Sequence, residues 1–297
     1  MGHTCHWRRL GEGQGPALVL IHGFGAGCGH WRRNAMALAA GGWCVYGLDL
    51  IGFGASSQPG PARHRRLDNR LWARQVQAFL EQVVQAPAVL VGHSLGGLVG
   101  LSCSVFFPGW VRAVVAAPLP DPSLLIAGSV MAGQVSPRRT PWRRRLQTAV
   151  ISVLCRLLPL EILVPLLAHS PLLDLGIQLA YHRVVIGDQE LHRIISRPAR
   201  RPGAVRSLRA MSMAMPLRPY HATAVSLLRR LQQPILLVWG LDDRLVPLDV
   251  ARQCLRIRAD LPLVVLEGAG HCPHDETWDQ FNATLLRWLE PIRRTPA

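Results

Sequence analysis

The chain predicts an α/β domain: a mostly parallel sheet with helices on both faces, interrupted once by a long helical insertion. Three observations predict it. Short apolar runs alternate with helical segments up to about residue 118, the pattern of strand–helix–strand units. The alternation stops at Pro118 and resumes at Pro234. Between strand and helix stands Gly92-His-Ser-Leu-Gly96, a G-x-S-x-G turn in the strand–turn–helix setting that gives this motif its meaning. The expected organisation is therefore a core over 1–118 and 233–297, with a helical cap over 119–232.

The elements follow in order. His3 to Gly15 holds at most a short edge strand or hairpin. Ala17-Leu-Val-Leu-Ile21 is the first strong strand, ending in the Gly-rich turn His22-Gly-Phe-Gly-Ala-Gly27 before a helix expected near His30 or Trp31. Trp43 to Leu48 is the next strand, followed by the two-glycine loop Asp49 to Ser56. Leu71, Trp72, Val76, Phe79, Leu80 and Val83 recur at helical spacing, so Asn69 to Gln85 reads as one amphipathic helix. Ala88 to Val91 is a buried strand, Leu95 to Phe107 a buried helix, and Val111 to Ala117 another strand. After the insertion come a strand over Pro234 to Gly240, a helix near Leu248 to Ile257, a strand over Leu263 to Leu266, and a last helix from about Glu276 to Glu290.

Composition narrows the function. With 49% hydrophobic and 17% charged residues, the 297-residue chain can bury a large core. The net charge is +15 and no Lys occurs, so every basic side chain of the Lys/Arg type is Arg. Such charge could suit nucleic acid, but no recognition motif and no aromatic stripe accompany it. Nucleic acid is therefore not expected as a partner; attraction to an anionic membrane surface fits better. Seven Cys without a C-x-x-C pair fit a reducing compartment and no disulfide framework. Met1 to Leu10 has no apolar signal core, and no apolar run is long enough to span a bilayer. A cytoplasmic protein is expected, with peripheral contact on an internal membrane.

The chemistry is carried by three loops. A Ser hydroxyl is a weak nucleophile that needs a base in reach, and the base needs an orienting carboxylate. Ser94 lies just past one strand. Asp242 and Asp243 follow the Pro234 strand, and His271 and His274 follow the Leu263 strand. Ser, Asp and His thus occur in the chain order that a parallel sheet of this kind requires. The Leu95 N–H, at a helix start, and the Phe24 N–H, at the end of the first strand, are candidate oxyanion donors. His22 and His93 lie close to the site by sequence, with His22 placed to hold the oxyanion loop. A metal cluster of His271, Cys272 and His274 contains Pro273 and lacks a fourth ligand, so no metal and no cofactor is expected.

These motifs resemble the α/β-hydrolase superfamily, in its lipase- and esterase-like branch with a helical cap. The likeness covers about 16–118 and 233–290. His22-Gly-Phe-Gly25 resembles the family's HG oxyanion motif, and Asp49-Leu-Ile-Gly-Phe-Gly-Ala-Ser56 its D-x-x-G-x-G-x-S loop. Trp239-Gly-Leu-Asp-Asp243 matches W-G-x-x-D, whose last Asp is the triad acid, which implies Asp243. Gly270-His-Cys-Pro-His-Asp-Glu276 matches G-H-x-P-x-x-E, whose first His is the base, which implies His271. Ser94 separates the chain from the dehalogenases and epoxide hydrolases, which carry Asp there. His30-Trp-Arg-Arg-Asn34, Leu71 to Val76, the Gly92–Gly96 elbow and Gly270 to Glu276 together resemble pheophytinase-like hydrolases of plants and cyanobacteria, although His93 stands where those commonly carry Asn. Those enzymes act on the long-chain ester of a chlorophyll derivative.

The resemblance implies a cofactor-free serine hydrolase of a small apolar ester. A carbon–carbon bond hydrolase or perhydrolase on the same triad, or a non-catalytic ligand-binding member of the fold, are the alternatives. The Leu-, Ile- and Val-rich stretch from Ala149 to Tyr181, preceded by Arg138 to Arg145, reads as a cap over an apolar pocket, with its basic end toward a membrane. Met211, Met213 and Met215 are candidates for an adaptable pocket wall.

Overall fold

The computed structural model describes residues 2–11, 13–62, 66–127, 150, 159–168, 170 and 172–294. Seven strands form one sheet: β1 (Trp7–Leu10), β2 (Ala17–Ile21), β3 (Cys44–Leu48), β4 (Ala88–His93), β5 (Val111–Ala117), β6 (Ile235–Gly240) and β7 (Leu263–Leu266). The spatial order is β1-β3-β2-β4-β5-β6-β7. Only β1 runs antiparallel to its neighbour, as the short edge strand expected near the N-terminus; the remaining pairs are parallel.

The strands are apolar on both faces because both faces are covered. Val19 and Ile21 point into one core, shared with α2 (Asn69–Phe79), α3 (Leu95–Phe106) and α10 (Leu248–Ile257). Leu18 and Leu20 point into the other, shared with α1 (Ala35–Ala40) and α12 (Trp278–Arg294). Period-2 alternation thus separates the two cores rather than core from solvent.

Some helix boundaries differ from expectation. The helix expected at His30 is a 3-10 turn over Cys28–Trp31, and the α-helix begins only at Ala35. The Gly-rich run leaves this turn to be held from outside, through a Cys28 N–H that donates 2.6 Å to Asp49 Oδ1. The helix from Asn69 is capped by Asp68, but it widens into a π turn over Leu80–Val84 and ends on Gln85 at φ 57°. The last helix is split. A short α11 (Pro273–Glu276) precedes α12, with the Thr277 hydroxyl returning to the Pro273 carbonyl at 3.2 Å.

Between β5 and β6 the described residues are helical, with no strand among them: α4 (Pro122–Ala127), α5 (Leu160–Ala168), α6 (Leu172–Gln178), α7 (Gln189–Ala199), α8 (Ala204–Ala214) and α9 (Ala224–Arg230). At the two ends of this segment, Leu124 of α4 and Leu227 and Leu228 of α9 are fully buried in the main core. The middle rests on the site side, where Ile177, Tyr181 and Leu191 pack around Cys272.

No single helix among the described residues is long and apolar enough to cross a membrane. The six described cysteines are free.

Candidate active site

Ser94 follows the last residue of β4 and caps α3. Its backbone sits at φ 52°, ψ −115°, a region costly for a residue with a side chain. The sheet holds it there through a Ser94 N–H that donates 3.1 Å to the Ala117 carbonyl. The flanking glycines are required by close approach. A Cβ on Gly92 would lie 2.2 Å from the Gly96 carbonyl, and one on Gly96 would lie 2.2 Å from the Ile21 carbonyl. The strand–helix turn therefore packs backbone on backbone and pushes Ser94 up at the carboxyl edge of the sheet.

Asp243 lies past β6 and His271 past β7, and both converge on Ser94. The Ser94 hydroxyl donates to His271 Nε2 at 2.9 Å. His271 Nδ1–H donates to Asp243 Oδ2, also at 2.9 Å. The other carboxylate oxygen, Oδ1, accepts the Leu245 and Val246 N–H groups at 2.9 and 2.8 Å, which fixes the carboxylate plane. The acid fixes the tautomer, leaving the Nε2 lone pair toward the Ser94 proton. Asp242 does not join: it stands 3.5 Å from His182, with its side chain 39% exposed. His274 does not join either; its ring stacks on that of His93 at 4.4 Å.

The Leu95 N–H starts α3, and Phe24 follows His22 and Gly23 on the loop beyond β2. Neither N–H meets an acceptor among the described residues. The Phe24 ring is exposed and rests edge-on against Phe53.

The structure places the candidate pocket residues His22, His93, Met211, Met213 and Met215 at different depths. His22 is fully buried, with Nδ1–H donating to the Gly23 carbonyl at 2.7 Å and Nε2 accepting the Leu50 N–H at 3.0 Å. It braces the loop that carries Phe24. His93 is buried, and its Nε2–H donates to the His271 carbonyl at 3.0 Å, tying the nucleophile strand to the base loop. Met211 and Met215 pack against the main core, and Met213 is half-buried on α8. Both nitrogens of His22 and Nε2 of His93 are taken by backbone, which spacing along the chain does not reveal.

Two clamps between insertion and core were not foreseen. Glu276 accepts the Gly270 N–H on one oxygen at 2.7 Å and the His182 and Arg183 N–H groups on the other at 2.6 and 3.0 Å. The His271 N–H donates to the Ala180 carbonyl at 2.8 Å. The base loop is thus bonded on both sides to the turn after α6. In the second clamp Arg32 bridges Asp275 and Asp188, at 2.9 and 2.6 Å. Glu276 sits in the G-H-x-P-x-x-E segment, but its partners His182 and Arg183, 94 and 93 residues away, leave no mark on that motif.

Burial keeps the histidines behind the site uncharged. It pushes His30 down to about 4 and His93 and His274 well below their usual value, the neighbouring imidazoles adding to the effect. Asp275 opposes this at His30, while Arg32 reinforces it. A group whose pKa is lowered by folding binds its proton more readily when unfolded. Its stabilisation is full above the unfolded value, near 6.5, and is lost as pH falls toward the folded value. His30 alone accounts for roughly 3 kcal/mol across that window. Melting temperature measured from pH 7.5 to 4.5 should therefore fall steeply below about pH 6. A flat profile would mean that these rings are solvated.

Comparison with known proteins gives a consistent relationship. Residues 18–284 match the model described as the alpha/beta hydrolase family. A 2-hydroxy-6-oxononadienedioate/2-hydroxy-6-oxononatrienedioate hydrolase of Pseudomonas sp is 25% identical over 96% of this chain and 92% of its own. A pimeloyl-[acyl-carrier protein] methyl ester esterase of Aliivibrio salmonicida is 28% identical over 98% of both. In structure, a thermophilic esterase from Thermogutta terrifontis superposes with a TM-score of 0.66 at 19% identity, over 97% of this chain and 94% of its own, a likeness of fold alone.

Proposed function

Because the chain belongs to the alpha/beta hydrolase family, we propose that it is a cofactor-free serine hydrolase that cleaves a carboxylic ester of an apolar substrate. The observation that carries this reading is the Ser94–His271–Asp243 relay, with 2.9 Å at each link. In this mechanism Ser94 Oγ attacks the ester carbonyl while His271 Nε2 takes its proton. The oxyanion accepts the Phe24 and Leu95 N–H groups. Collapse expels the alcohol, which takes its proton from His271, and the acyl group stays on Ser94. Water, activated by the same imidazole, then releases the acid. A fluorophosphonate probe tests the reading: it should label wild type at Ser94 and nowhere else, whereas a ligand-binding member of the fold would stay unlabelled.

The surroundings of the relay support an apolar substrate. Phe24, Leu241 and Leu245 are exposed on the loops that carry the oxyanion donor and the acid. The residue likeness to pheophytinase-like hydrolases makes a chlorophyll-type ester one member of the panel of ester chain lengths to screen. A second reading, carbon–carbon bond hydrolysis on the same residues, is favoured by the Pseudomonas relative, whose substrate is a hydroxy-oxo-dienedioate. Faster turnover of such a dienedioate than of any ester in the panel would select it.

We also infer that the insertion acts as a lid against an anionic membrane. Ile162 and Leu166 on α5, and Leu172, Leu175 and Leu179 on or just after α6, are exposed apolar side chains beside a strongly basic chain. Arg143, Arg144 and Arg145 lie outside the described residues. Each Arg near such a surface adds roughly 1 kcal/mol of attraction, screened by salt. Exchanging all three for Gln should weaken flotation with anionic vesicles at low salt and leave turnover of a small soluble ester intact. Wild type that ignores anionic vesicles would make the cluster a solvated face.

A further inference from the structure

We propose that His30, His93 and His274 form a binding site for one imidazole-preferring transition-metal dication of the zinc class, enclosed behind the Ser94–His271 pair. The three rings come from the turn after β2, the last residue of β4 and the first turn of α11, and they are 3%, 4% and 0% exposed. One ring nitrogen from each lies within 4.8 Å of those from the other two. Their centroids are 4.4, 4.6 and 5.4 Å apart. Imidazoles held around one ion by bonds of about 2.1 Å have ring centres roughly 4.5 to 5.5 Å apart, so the cluster needs little movement to close on a metal.

The hydrogen bonds around the rings supply the independent argument. Tyr181 donates its hydroxyl proton to Asp275 Oδ2 at 3.1 Å and so accepts from His30 Nε2–H at 2.8 Å. His93 Nε2–H is spent on the His271 carbonyl. These bonds leave Nδ1 of His30 and Nδ1 of His93 as bare lone pairs, and neither has a partner; both nitrogens of His274 are also buried without one. Each such orphan leaves a desolvation penalty uncompensated, and native proteins rarely gather four in one place. A metal-bound His typically donates its remote N–H to a carboxylate relay or a backbone carbonyl, the two arrangements seen at His30 and His93. An all-nitrogen donor set selects Zn²⁺, Cu²⁺ or Ni²⁺ over Mg²⁺ or Ca²⁺.

The ion would be structural, with a buried water rather than a side chain closing its fourth position. It would pin the end of β4, which carries Ser94, to the turn beyond β2 and to α11 next to His271, and it takes no part in the acyl transfer proposed above. His271 is excluded as a ligand because both its nitrogens are engaged. The other donor group, His6, Cys28 and Asp49, is closed on itself, with Asp49 already accepting from His6, Cys28 and Ala55.

The test is metal content. Full-length protein is expressed with added Zn²⁺ and purified without metal-affinity resin. Zinc per folded chain is then measured for wild type, His30→Gln, His274→Gln and His6→Asn. Wild type and His6→Asn should carry about one ion, and the other two less than about a tenth of that. Zinc-edge X-ray absorption on wild type should show three imidazole neighbours and no sulfur, a readout that holds even if the His variants fail to fold. Wild type without zinc, zinc retained by both folded His variants, or a thiolate in the coordination shell would each overturn the proposal. The first outcome would leave the orphan nitrogens to buried water.

Discussion

Ser94→Ala should lower ester turnover by about 10⁴-fold or more while leaving the melting temperature within a few degrees of wild type. The loss is large because nucleophile and base act as one unit: without the hydroxyl, His271 has no proton to take, and only the oxyanion donors remain. The fold should tolerate Ala, because Ser94 already bears its cost in the backbone, at φ 52°, and Ala brings no additional atom. The side chain surrenders one hydrogen bond, to His271. Turnover with purified variant and a soluble ester, alongside a thermal melt, reads both halves. Retention of more than about a tenth of the activity would end the Ser mechanism, since among the described residues no second hydroxyl bonds to His271.

Asp243→Asn should lose about 10⁴-fold, and Asp242→Asn no more than a few-fold. The two carboxylates are neighbours in sequence and opposites in setting. The Asp243 side chain is fully buried against His271 at 2.9 Å, so an amide there would donate to Nδ1 and stabilise the tautomer whose Nε2 already holds a proton. That imidazole cannot accept from Ser94. Asp242 points to His182 near solvent, where screening makes its charge worth little. Steady-state kinetics of both variants on one ester decide the matter, and a reversed ranking would place the acid one residue earlier on the loop.

Much of the site was legible because it is local. Gly92 and Gly96 are written into the elbow by backbone contacts four to five residues away or directly across the sheet, so the pattern survives as a short string. The order Ser94, Asp243, His271 is legible for a topological reason: parallel strands deliver their loops to one edge, and each residue follows a strand visible from its apolar run. Choosing Asp243 over Asp242, and His271 over His274, came from family motifs. Spacing could not separate neighbours one and three residues apart.

Other features are non-local. The helix expected at His30 fails because Asp49, 21 residues on, holds the turn at Cys28. The helix from Asn69 widens at Leu80, which its apolar periodicity does not announce, since a π turn preserves a buried face. Both nitrogens of His22 are spent on Gly23 and Leu50, and Nε2 of His93 on the His271 carbonyl, engagements that spacing along the chain does not announce.

By itself, then, the sequence determined the parallel sheet, the elbow and the loops that carry Ser94, Asp243 and His271, because apolar periodicity and tight-turn sterics act over a few residues. Only the tertiary structure decided that Glu276 bonds the base loop to the turn at Ala180–Arg183, and that His30, His93 and His274 meet in one sealed cluster. Those contacts join residues 63 to 244 positions apart in the chain. Their energy depends on burial and hydrogen-bond direction, which exist only once the sheet has folded and the insertion has closed against it.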